Sequence, residues 1–120
     1  MISVVIAAFN EGEGIEACLK SVCDQTLPRD QYEVIVVDGN SKDNTREIAA
    51  KYADKVFNQT SKKVGGARND GVMEAKYDWI VTADADCFFP RTWLETIVND
   101  FKNHPEASTF YGPIYPLEPG

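Results

Sequence analysis

Asp84 and Asp86 stand one residue apart, directly behind the apolar run Trp79-Ile80-Val81-Thr82-Ala83. If that run is a strand and stays extended through residue 86, both carboxylates point to the same side, because strand side chains alternate with a period of two. Two like charges that close repel, so either one keeps its proton or a cation sits beside them. Hard divalent ions such as Mg2+ or Mn2+ suit carboxylate oxygens and a substrate diphosphate. The competing reading is a solvated acidic turn capping the next helix; the apolar run ahead of the pair favours the metal. Asp38 ends a second apolar run, Glu33 to Val37, a place where an acid can accept from a ribose hydroxyl or a base edge. Equally, Asp38, Ser41 or Asp43 can cap the helix that follows. A third candidate is Gly65-Gly66-Ala67-Arg68-Asn69, a glycine turn feeding a helix N-terminus, with backbone N–H groups and a cation suited to phosphate.

These residues need elements to hold them. Short apolar runs alternate with helical patterns along the chain, which is the signature of strand-helix-strand units in a mostly parallel sheet. Ser3 to Ala8 is the first strand, and Ile15, Cys18, Leu19 and Val22 put one apolar face on the helix after it. Glu33 to Val37 is the second strand. A polar turn, Asp38 to Asn44, leads to a helix carrying Ile48, Ala49 and Tyr52, and Lys55 to Asn58 makes a short third strand. A helix from about Ala67 to Ala75 is expected to turn Val72 and Ala75 inward. Tyr77 to Ala83 is the next strand, and Pro90 suits the first position of a helix with Trp93, Leu94, Ile97, Val98 and Phe101 on one face. A last strand is expected at about Ser108 to Tyr111, before a proline-rich end. In open parallel sheets ligands sit beyond the carboxyl ends of the strands, where strand order reverses, and the candidate acids fall at such ends.

The 120 residues hold 12 Lys+Arg against 19 Asp+Glu, a formal net charge of -7. A nucleic-acid binder needs a basic stripe to displace counterions from phosphates, so no nucleic-acid partner is expected. One domain fits this length, and it buries roughly two thirds of its unfolded surface. No apolar run reaches the ~18 residues of a membrane-spanning helix, and Met1 to Ala8 lacks the basic start and cleavage site of a signal peptide. Cys18, Cys23 and Cys87 show neither a C-x-x-C spacing nor a nearby His for zinc, which points to a reducing compartment and to cysteines as core filler. Asn58-Gln59-Thr60 is formally a glycosylation sequon, expected to go unused without a secretory signal. His104 has no nucleophile placed beside it. With no G-x-x-x-x-G-K-[ST] and no G-x-G-x-x-G after the first strand, a P-loop or a dinucleotide dehydrogenase lacks its main support.

Taken in order, Val4 to Glu11, Val34 to Thr45, Gly66 to Gly71 and Trp79 to Asp86 resemble family 2 glycosyltransferases of the GT-A fold. The resemblance spans nearly the whole chain. It implies an α/β fold with a Rossmann-like, mostly parallel sheet flanked by helices, a nucleotide-diphosphate sugar donor, and a Mn2+ or Mg2+ ion at the D-x-D acids. It also implies sugar transfer with inversion at the anomeric carbon. By position, Ala7, Phe9 and Glu11 match the family's first nucleotide-contacting loop, usually Pro-x-Tyr-Asn-Glu; Phe9 keeps the stacking face of Tyr and loses the hydroxyl. Asp38 matches the acid that bonds base or ribose, with Gly39 where the family often has a second acid. Arg68 and Asn69 match the A-R-N segment near the diphosphate and donor sugar, and Asp84 and Asp86 match the ribose-contacting and metal-binding acids.

Family members typically continue well beyond this length, into the acceptor site and the carboxylate that acts as general base. Residues 1–120 are therefore expected to be the donor-nucleotide part of a longer enzyme, with the base outside this chain and this part alone inactive. The acceptor would be a sugar, lipid-linked or protein-linked, and the location cytoplasmic, at the inner face of the membrane in a longer parent. An unpaired sheet edge would allow a homodimer. Two rivals differ in class. One is a nucleotide-binding module that binds without transfer. The other is a Mg2+-dependent phosphatase-like domain with Asp84 as nucleophile and Asp86 as acid, disfavoured because that chemistry places its acids after the first strand with a hydroxyl residue two further on, and position 88 is Phe.

Overall fold

Strands of a parallel sheet are covered on both faces and so read as unbroken apolar runs. Val34 to Val37 is such a run. The computed structural model describes residues 2–60, 66–77 and 79–103, the side chains of residues 66–69 and 101 excepted. In it this run lies within β2 (Tyr32–Asp38), every residue of which is buried. β1 (Ile2–Ala8) pairs with β2 from Ile2 opposite Tyr32 to Ala8 opposite Asp38. β4 (Trp79–Asp84) pairs with the other side of β1, ending with Asp84 opposite Ala7. β3 (Lys55–Asn58) pairs with β2, so the described sheet is fully parallel in the order β3-β2-β1-β4.

The chain thus steps outward from β1 to β3 and then returns past β1 to β4. Because strand crossovers are right-handed, the outward and return steps must put their helices on opposite faces. They do. On one face, α1 (Ile15–Cys23) buries Ile15, Cys18, Leu19 and Val22 against Val4, Ile6, Val34 and Val36, and α4 (Trp93–Asn103) adds Trp93, Leu94, Ile97 and Val98 to the same core. Phe89 stacks on Trp93 with ring centroids 3.8 Å apart. Each such aliphatic or aromatic side chain contributes roughly 1.5–3 kcal/mol by leaving water. α2 (Thr45–Ala49) buries Thr45 and Ala49 on this side. On the other face a smaller cluster of Val5, Ile35 and Val37 is joined by Phe57, Ala75 and Ile80, and α3 (Gly66–Glu74) packs there.

The contact of α3 with the sheet differs from the expected one. Val72 is exposed and Gly71 is buried instead. A Cβ at Gly71 would stand 2.2 Å from Val5 Cγ1 and 3.1 Å from Val37 Cγ2, so the helix backbone lies directly on the strands, a closeness that glycine permits. Three further boundaries move. Tyr77 precedes β4, and Tyr52 lies past the end of the short α2. α4 begins at Trp93 rather than at Pro90, because the Leu94 amide donates to Gln25 Oε1 at 2.9 Å and the Arg91 carbonyl accepts from the Thr26 amide at 2.8 Å. His104 and the expected strand at 108–111 lie outside the described residues.

Candidate functional site

Reversal of strand order between β1 and β4 opens a cleft at the carboxyl end of the sheet. It has a volume of about 450 Å3. The end of β1 contributes Ala7, Phe9 and Glu11, the end of β4 contributes Asp84 and Asp86, and the ends of β2 and β3 contribute Gly39 and Gln59. The first five are residues singled out from the sequence, brought together from segments more than seventy residues apart. Gln59 was missed; its position just past β3, at the carboxyl edge of a parallel strand, is the signal that could have found it. Phe9 is 60% exposed, a large apolar ring left in water beside a polar cleft.

Extended geometry ends at Asp84, not at Asp86. The Ala85 amide still reaches the Ala7 carbonyl at 3.1 Å, but the Cys87 amide turns back to the Asp84 carbonyl at 3.2 Å. Asp84 therefore reaches the cleft from the last position of β4, and Asp86 through the turn that follows it. Sulfur braces this turn from below: the Cys18 thiol donates to the Asp84 carbonyl at 3.7 Å, and the Cys87 thiol to Asp86 Oδ1 at 3.6 Å. Burial pushes the Cys18 thiol up to about 12.

Asp38 takes the opposite face. It is opposite Ala8 while Asp84 is opposite Ala7, so the two acids project from opposite sides of the sheet. Asp38 is wholly buried, accepts from the Ser41 amide at 2.7 Å and from the Ser41 hydroxyl, and lies 3.7 Å from Arg46 Nε. It does not line the cleft. Its carboxylate secures the loop after β2 rather than capping α2, whose N-cap residue Asn44 makes no side-chain cap bond. Arg68 and Asn69 fall in the first turn of α3, on the same face of the sheet as Asp84; their side chains lie outside the described residues. The Thr60 amide donates to Asp70 at 2.6 Å, which ties the middle of α3 to the segment just past β3.

Burial first, then the charges of Asp86, Asp43 and Asp84, raise the Glu11 carboxyl above its ordinary value. Among the described residues the cleft has no cationic side chain on its walls, so a diphosphate would meet three carboxylates there without a counter-charge. The donor set fits a hard divalent cation, because Asp84 and Asp86 offer carboxylate oxygens in one turn. Among the described residues no cluster of three or more His, Cys, Asp or Glu side chains forms a closed cage. Two protein carboxylates leave positions open for phosphate oxygens and water, which is how Mg2+-type ions are commonly held beside phosphorylated substrates.

A family model described as glycosyl transferase family 2 matches residues 3–117. The chain belongs to this family. It is similar to the Glycosyltransferase AglE of Haloferax volcanii, with 36% identity over 100 residues covering 78% of this chain and 33% of the relative. Two solved structures share the fold of this family 2 chain. The S. aureus TarS fragment 1-349 in complex with UDP-GlcNAc superposes with a TM-score of 0.78 at 25% identity, covering 87% of this chain and 32% of that one. The mannosyltransferase PcManGT from Pyrobaculum calidifontis in complex with GDP-Man and Mn2+ gives a TM-score of 0.74 at 28% identity, covering 83% and 32%. The family 2 chain spans a third or less of the length of the curated relatives it matches.

Proposed function

We propose that this chain is the donor-nucleotide part of a glycosyltransferase that moves a sugar from a nucleoside-diphosphate sugar to an acceptor hydroxyl, with inversion at the anomeric carbon. The observation that carries it is the cleft itself: in a family 2 chain, Phe9, Glu11, Asp84 and Asp86 meet at the point of strand reversal. TarS with UDP-GlcNAc and PcManGT with GDP-Man and Mn2+ support the ligand class.

In this reading the exposed Phe9 ring stacks on the base beside Gly39, and Ala7 forms part of the floor. Asp84 accepts from the ribose, and Asp86 with Asp84 holds Mn2+ or Mg2+. Arg68 and Asn69 reach the diphosphate and donor sugar from the first turn of α3, while Asp38 acts through the loop it secures. Glu11 stands beside the metal-binding acids and adds negative charge that a bound cation would offset. A divalent ion at this position supplies Lewis-acid neutralisation of the charge on the departing diphosphate. The acceptor oxygen attacks opposite the leaving group, and its proton goes to a carboxylate base from outside residues 1–120. An acceptor sugar, lipid-linked or protein-linked, and a cytoplasmic site at the inner membrane face complete the proposal for the longer protein. Among the described strands β4 borders the sheet, and a homodimer would pair there.

Thermal unfolding against UDP, GDP, CDP and ADP, each with and without Mn2+, tests this. Ligand at about 100 times its dissociation constant adds ~2.7 kcal/mol, or about 10–20 °C for a domain near 100 residues. A shift for one nucleotide that requires Mn2+ and is lost in Asp86→Asn is expected. No shift with any of them contradicts the reading.

A further inference from the structure

Residues 10–12 follow β1 and carry Glu11 into the cleft. Their three consecutive backbone amides do not face that cleft. The Asn10 amide donates to Ser41 Oγ at 2.7 Å, the Glu11 amide to Thr45 Oγ1 at 2.9 Å, and the Gly12 amide to Asp43 Oδ2 at 3.0 Å. In return, Asn10 Oδ1 accepts from the Lys42 amide at 2.9 Å. Both hydroxyls are themselves oriented. Ser41 donates its proton to Asp38, and Thr45 donates its proton to Asp43, so each oxygen is left as an acceptor aimed at the first loop. Two carboxylate–hydroxyl–amide relays run in parallel, one ending on Asn10 and the other on Glu11.

The fit is close. A Cβ at Gly12 would lie 2.2 Å from Asn44 Oδ1 and 3.0 Å from Asp43 Oδ2. Asn10 sits at φ 51° and Asn40 at φ 65°, left-handed conformations that asparagine tolerates better than most residues. Such a backbone persists where its surroundings over-determine it. There is also a force for it to resist: Glu11 shares the cleft with Asp84 and Asp86, and like charges in one site repel.

We propose that Ser41 and Thr45, set by Asp38 and Asp43, are positioning residues: they staple the loop after β1 to the loop after β2 and so hold Phe9 and Glu11 in place for the donor nucleotide. The proposal rests on the donor-site reading above and adds to it the residues that fix the pose.

Thr45 is buried, and Thr45→Val keeps its shape while removing the hydroxyl. In Thr45→Val the Glu11 amide, read by hydrogen exchange without nucleotide, is expected to lose its protection. The dissociation constant for the nucleoside diphosphate with Mn2+ is expected to rise about tenfold, equivalent to ~1.4 kcal/mol and the size of one well-made hydrogen bond. Thr45→Ser should restore both. If Thr45→Val does not fold, Asn10→Gly reads the same staple, since glycine accepts the left-handed backbone and deletes the Lys42 contact. Wild-type Glu11 and Gly12 amides exchanging as in an unstructured chain would overturn the staple. Unchanged affinity in folded Thr45→Val and Asn10→Gly would overturn its role in positioning. Protected amides without binding of any nucleoside diphosphate would support the staple and sink the donor-site reading alone.

Discussion

Asp38 and Asp84 end the strands on either side of β1, and one residue of register puts them on opposite faces. Substitution at Asp38 should therefore fail differently from substitution in the cleft. Asp38→Ala strips a buried acceptor from the Ser41 amide and hydroxyl and is expected to cost about 1–3 kcal/mol in chemical denaturation, the usual penalty for orphaned buried partners. Asp86→Asn, at an exposed position, should stay within about 0.5 kcal/mol of wild type while abolishing the Mn2+-dependent nucleotide shift. The identity and rough place of both acids were legible in the sequence. Their faces were not, because Val34-Ile35-Val36-Val37 is apolar at every position and carries no alternation from which to read the side taken by residue 38. Cys18 gives a separate test. Its thiol ionises at about 12 instead of the ordinary 9.0, so the unfolded chain loses that proton first as pH rises. The stability contributed by the neutral buried thiol is complete below pH 9 and lost between about pH 9 and 12. Cys18→Ala, though less stable at neutral pH, should lose less stability across that window; an equally steep fall would assign the alkaline sensitivity to other groups.

The apolar faces of α1 and α4 and the place of β3 were legible in the sequence, whereas the sheet contact of α3 and the start of α4 were not. α1 buries the residues its spacing indicated, and α4 buries Trp93, Leu94, Ile97 and Val98 as expected, the side chain of Phe101 lying outside the described residues. α3 gave a misleading pattern because its closest contact is Gly71, which has no side chain to register in a hydrophobic pattern, while Val72 and Met73 point to solvent. Gly71→Ala should cost about 1–3 kcal/mol, the range for overpacking a filled interior, and more than the gain from a better helix former, ~1 kcal/mol. A thermal midpoint equal to or above wild type would contradict the close approach of α3 to Val5. The start of α4 was misplaced for a related reason: Pro90 suits a first helical turn in isolation, but Gln25 takes the Leu94 amide and Thr26 the Arg91 carbonyl. Local propensity yielded to tertiary hydrogen bonds that no short window of sequence contains.

Across the whole molecule, a net charge of -7 and three carboxylates at the cleft oppose an anionic ligand, and this makes the divalent ion central to the account. Removing it with a chelator should weaken nucleoside-diphosphate binding by tenfold or more, whereas adding monovalent salt to screen the charges should not replace it. The order of motifs along the chain was enough to indicate the family and a parallel sheet. The way two loops from β1 and β2 are stitched together by Ser41 and Thr45 was not legible, because each bond joins residues about thirty apart in sequence. The most direct test of the central claim is a crystal structure of the chain grown with Mn2+ and the nucleoside diphosphate that raises its midpoint. The base is expected against Phe9 and Gly39, and the ion on Asp84 and Asp86. Density for the nucleotide in the separate cleft at the other end of the sheet, lined by Arg29, Lys55 and Lys76, would contradict it.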